Sequence, residues 1–103
     1  MLNASPRASF RLRARVWIYP GPGGWHFLTL SGKRSAALRA LFADGARPFG
    51  SIAVHVTIGA TRWRTSLFPD TKAGAYLLAI KANVRKREGI HEGMTVTATV
   101  DVI

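Results

Sequence analysis

From Ala8 to Tyr19 the chain alternates, with Phe10, Leu12, Ala14 and Val16 apolar and Arg11, Arg13 and Arg15 standing between them. A two-residue period with one dry and one wet side predicts a half-buried strand. The run PGPGG at 20–24 interrupts it and Trp25–Leu30 resumes, so the two stretches read as a hairpin across a Gly/Pro loop. In residues 31–45, SGKRSAALRALFADG, the apolar spacing becomes helical. Leu38, Leu41 and Phe42 share a face with Ala37 beside them, Ser31 or Ser35 can cap the start, and Gly45 can end the helix in the left-handed conformation. Ile52, Val54, Val56 and Ile58 then alternate with Ala53, His55 and Thr57 in the clearest strand of the chain. Gly59-Ala60 turns it back into Thr61–Phe68, with Arg62 and Arg64 on one face and Trp63 and Thr65 on the other. Ala75–Ile80 is a fifth strand. Residues 81–87 form a short helix capped by Gly89, with Ile90 placed to fold back on Val84, and Thr95–Val102 is the sixth strand.

The order ββαβββαβ in 103 residues predicts one domain over residues 8–103, behind a flexible tail at 1–7. Six short strands leave edges to be covered, and a small closed six-stranded all-β barrel with two short helices covers them. Strand, short helix, Gly, alternating strand occurs twice, around "WHFLTL…IAVHVTI" and "AYLLAI…TVTATV", which suggests an internal pseudo-duplication.

Charge changes this picture more than size does. Lys and Arg number 15 against 5 Asp and Glu, for a net charge of +10, which draws polyanions such as nucleic acid. Arg11, Arg13 and Arg15 form one ladder and Arg62 and Arg64 another; on adjacent strands they would gather five guanidinium groups, with Trp17, Trp25 and Trp63 as stacking planes. Lys81 and Arg85, one helical turn apart and largely exposed, extend the same anion-binding set. The competing arrangement is a charged exterior with the tryptophans in the core. A second functional reading is a small-molecule or protein-interaction module at the barrel mouth, near Trp25 and Trp63.

Other chemistry is thin. There is no Cys, so disulfides and thiolate metal sites are excluded, and His26, His55 and His91 lack ligand spacing, so no metal site is expected. Glu88 and Glu92 bracket a turn in a basic setting that keeps both ionised, and Ser66 has no evident His/Asp partners. The expectation is a non-enzymatic binding domain with no cofactor. It is expected in the cytoplasm with no membrane partner, because no leader-like run opens the chain and no apolar stretch nears the ~18 residues of a span.

The segments GPGGWHFLTL, RWRTSLFP and GAYLLAIKANVRKREGIHEGMTVTATV, which draw on nearly the whole chain from Phe10 onward, resemble a family of small bacterial domains of unknown function. Some members of that family stand beside a bacteriocin-protection segment of the YdeI/OmpD-associated type. The resemblance implies a six-stranded barrel with a pseudo-duplicated plan and no particular activity. The last third is also similar to AbrB/MazE-type swapped-hairpin DNA-binding units in its strand, short helix, GI-x-x-G and strand, with Met94 where those units carry Asp. Such units are about half this length and dimerise, whereas this chain supplies both halves itself.

Overall fold

The computed structural model describes residues 7–42 and 50–103. Seven strands and two helices follow in the order β1 (Ala8–Arg15), β2 (Trp17–Ile18), β3 (His26–Thr29), α1 (Gly32–Phe42), β4 (Ile52–Ile58), β5 (Thr61–Asp70), β6 (Ala75–Ala79), α2 (Ala82–Glu88) and β7 (Thr95–Val102). All the strands belong to one antiparallel sheet, ordered β1-β7-β4-β5-β6-β3-β2. The sheet curls into a half-barrel; the closed six-stranded barrel expected from the sequence is not what forms.

Val16 explains the extra strand. Its N–H donates to the Met94 carbonyl and its own carbonyl accepts from Gly93 N–H, so it still belongs to the β7 side. One residue later Trp17 pairs with Phe27 of β3. The stretch read as one strand from Ala8 to Tyr19 is therefore split, and its two pieces lie at opposite edges of the sheet. The strand–helix–strand units β3-α1-β4 and β6-α2-β7 pair like with like, β3 on β6 and β4 on β7.

The concave face holds the core. Leu28, Leu78 and Leu67 line up across β3, β6 and β5 and are fully buried. Phe10, Val100 and Val56 do the same across β1, β7 and β4. Phe10, Val54 and Val100 thus share one interior, as alternation requires.

Helix α1 is capped by Ser31, whose Oγ accepts from Arg34 N–H at 3.1 Å. Ser35 is no cap: it is buried, and its Oγ accepts the Tyr76 N–H at 3.0 Å, tying α1 to β6. The buried stripe is Ser35, Leu38 and Phe42, so Leu38 and Phe42 face inward as expected, while Leu41 is 67% exposed and Ala37 is exposed too; the buried face is turned toward Ser35 instead. Gly45 and Asp44 lie outside the described residues, as does the predicted tail except Arg7, whose N–H bonds the Val102 carbonyl. Helix α2 ends as expected: Gly89 is left-handed at φ 66°, and Ile90 N–H reaches back to the Arg85 carbonyl at 2.9 Å.

Candidate functional site

Arg11, Arg13 and Arg15 are exposed on the convex side of β1. Alternation runs unbroken through Val16, so Trp17 and Tyr19 point to that same side. The β2–β3 register then sets Phe27 against Trp17, and Trp25 closes the group beyond it. Four rings pack together in the open. Trp17 and Phe27 lie 5.3 Å apart between centroids, Tyr19 meets Phe27 edge-on at 6.3 Å, and Trp25 lies nearly parallel to Phe27 at 6.4 Å. The Trp17 indole N–H donates to Thr29 Oγ1 at 2.8 Å, which fixes its ring plane. Tyr19 and Trp25 remain 54% and 59% exposed. Leu77 and the half-exposed Phe68 continue the apolar surface across β6 and β5. The arginines of β1 are thus followed in the chain, beyond Val16, by an exposed aromatic cluster.

Arg62 and Arg64 do not join the arginines of β1. They are exposed on the convex side of β5, with β7 and β4 lying between them and β1, which is three strand spacings or about 14 Å. The five-guanidinium surface expected from the sequence therefore does not exist. Arg62 is also committed locally: its Nη1 lies 2.8 Å from Asp101 Oδ2 and donates to Thr57 Oγ1 at 3.1 Å. The Ser9 hydroxyl donates to the other oxygen of Asp101, and this bond, then that from Arg62, holds the Asp101 carboxyl below the usual carboxylate range.

Trp63 turns inward and packs half-buried against the core, its indole N–H without a partner among the described residues. Ser66 shares the convex face with His55 and Asp101, but among the described residues no hydrogen bond joins it to either, and Asp101 is already engaged.

Lys81 and Arg85 meet Trp25 elsewhere. A cleft of about 160 Å³ opens between the Gly-rich loop and the start of α2, lined by Gly24, Trp25, His26, Ile80, Lys81 and Arg85. Lys81 is exposed, whereas Arg85 is half-buried rather than solvated. Arg85 Nη1 lies 2.9 Å from His26 Nδ1 and 3.4 Å from the Ile80 carbonyl. The same His26 Nδ1 lies 2.6 Å from the Gly24 carbonyl. Arg85 is aimed by the packing of α2, through buried Val84 at one end and, at the other, Glu88, whose Oε2 accepts from the Thr61 hydroxyl at 2.6 Å.

Sequence reasoning missed Tyr19, Phe27 and His26. The first was within reach, because the alternation that sorts the arginines continues to residue 19. Phe27 and His26 depended on the hairpin register, and the Arg85 contact joins residues 59 apart.

Among the described residues no His, Cys, Asp or Glu cluster suits a metal, and no helix is long and apolar enough to cross a membrane. The architecture defines a small, mostly β half-barrel domain with two helices. Residues 12–100 match the family model described as Domain of unknown function (DUF1905), and the chain belongs to that family. No curated protein matches the chain.

Proposed function

We propose that the convex face of β1, β2 and β3 binds single-stranded nucleic acid. Arg11, Arg13 and Arg15 follow the phosphates, and Tyr19, Trp25 and the half-buried Trp17 and Phe27 stack unpaired bases. The observation that carries this reading is the exposure of Tyr19 and Trp25 in one ring cluster that follows the arginine ladder along the chain. Cation tracks beside stacking planes are how single strands are held without sequence readout, at about 1–3 kcal/mol per stacked base. A duplex keeps its bases stacked inside and gains only the phosphate contacts.

The test is fluorescence anisotropy with ten-nucleotide dT and U strands and a duplex of the same length, from 50 to 300 mM salt. Single strands should bind more tightly than duplex. Three phosphate contacts should give a log–log slope of roughly −2, at about −0.7 per contact. Trp25→Ala should weaken single-strand binding about 5- to 150-fold, the span of one stacked base. Absence of binding at 50 mM salt, or equal affinity for duplex with no loss in Trp25→Ala, refutes the reading.

A further inference from the structure

We propose that the cleft between Trp25 and α2 takes the terminal phosphate monoester of a bound strand, an inference that rests on the single-strand reading above. Arg85 is the first reason. Arg85 is half-buried, and the ion pair found among the described residues is Arg62–Asp101, so among the described residues no carboxylate pairs with Arg85. Its Nη1 has only neutral acceptors, one of them long at 3.4 Å. A partly desolvated cation in that state gains most from an arriving anion.

His26 supplies the second reason. Gly24 O at 2.6 Å can only accept, so it needs a hydrogen on Nδ1. Arg85 at 2.9 Å can only donate, so it needs a lone pair on the same nitrogen. One imidazole nitrogen cannot meet both demands at once, so one of the two contacts is left without a hydrogen bond. An anion that accepts from Arg85 removes the conflict: His26 Nδ1–H donates to Gly24 O, and the guanidinium turns to the ligand.

Size and charge narrow the ligand. About 160 Å³ matches roughly five waters at ~30 Å³ each, room for one phosphate with part of a ring. A phosphate monoester carries about −1.5 to −2 at neutral pH, against one charge on an internal diester, and so matches Lys81 and Arg85 together. Trp25 lines the cleft and also belongs to the ring platform, so a base stacked there hands its phosphate to α2.

The experiment uses the full chain and internally labelled ten-nucleotide strands bearing a 5′-phosphate, a 3′-phosphate or neither, with adenosine monophosphate and adenosine titrated separately by tryptophan fluorescence. One phosphorylated strand should bind at least tenfold more tightly than the unphosphorylated one. Arg85→Gln and, independently, Lys81→Ala should erase that advantage while leaving the unphosphorylated strand within twofold. Equal binding of all three strands overturns the proposal; if adenosine monophosphate nevertheless binds better than adenosine, the cleft belongs to a free mononucleotide instead. Failure of every strand to bind, with adenosine monophosphate no better than adenosine, overturns it together with the single-strand reading.

Discussion

Replacing Gly59 with Ala tests how α2, and with it Arg85, is held in place. Gly59 sits in the β4–β5 turn at φ 57°, left-handed backbone that costs an L residue about 1–2 kcal/mol. A Cβ there would clash with Glu88 Oε1 and lie 2.9 Å from its Cδ. The carboxylate must swing away, and the 2.6 Å bond from the buried Thr61 hydroxyl goes with it. Hydrogen bonds to charged groups contribute about 1.5–3 kcal/mol, and the partial exposure of Glu88 places this one at about 1.5. The sum is about 3 kcal/mol, or a fall in Tm of roughly 12–24 °C for a domain of this size.

The two parts separate in a double-mutant cycle read by urea unfolding. Glu88→Ala alone should cost about 1.5 kcal/mol, by losing the same bond. Gly59→Ala in that background should cost only the backbone share, leaving a coupling of about 1.5 kcal/mol. Equal cost of Gly59→Ala in both backgrounds would show that the carboxylate does not pack on the turn. A cost below about 0.5 kcal/mol would show that the turn does not require left-handed backbone.

Two further outcomes follow from single residues. The folded carboxyl of Asp101 titrates below its unfolded value of about 3.9, so its contribution is present above that pH and lost as pH falls through the folded value. Asp101→Asn should therefore have a lower urea midpoint than the parent at pH 6, with the gap closing below about pH 4; a gap that does not change with pH refutes this. Trp63→Phe removes a buried N–H that has no partner among the described residues, worth about 1–3 kcal/mol, but also gives up packed ring area of similar value. It should change unfolding stability by less than about 1 kcal/mol, and a loss above about 2 kcal/mol would mean that the indole N–H is bonded after all.

Alternation made most of the strands readable because each inner row has a single environment. β4 and β7 have the bounds that their apolar spacing predicts, and the Gly89 cap of α2 falls where the local chemistry puts it. What failed was non-local. Nothing in Phe10–Tyr19 says that one stretch will pair with β7 and then, after Val16, with β3, because pairing partners are set by the whole sheet. The face of α1 was misread for a related reason. Ser35 is small and polar and reads as a cap, but it takes a buried place because β6 offers it the Tyr76 N–H. The arginines were sorted correctly between wet and dry sides. Whether two ladders join depends on strand order, which side-chain period does not encode.

The ring cluster admits a competing explanation that must be weighed. β2 is only two residues long, and aromatic pairs contribute about 0.5–1.5 kcal/mol beyond their burial, so the rings can serve the hairpin itself. Trp17 and Phe27 fit that role: they are half-buried, face each other across the register, and Trp17 is anchored to Thr29. Tyr19 and Trp25 fit it poorly. They stand past the last registered pair, where Tyr19 N–H bonds the Trp25 carbonyl, and each keeps over half its surface in water. A convex sheet cannot enclose a ligand, so whatever uses those two rings must lie along the surface. Structural and binding roles therefore divide within one cluster. Removing Tyr19 or Trp25 should cost the hairpin little and the bound strand much, and the opposite order of effects would assign all four rings to the hairpin alone.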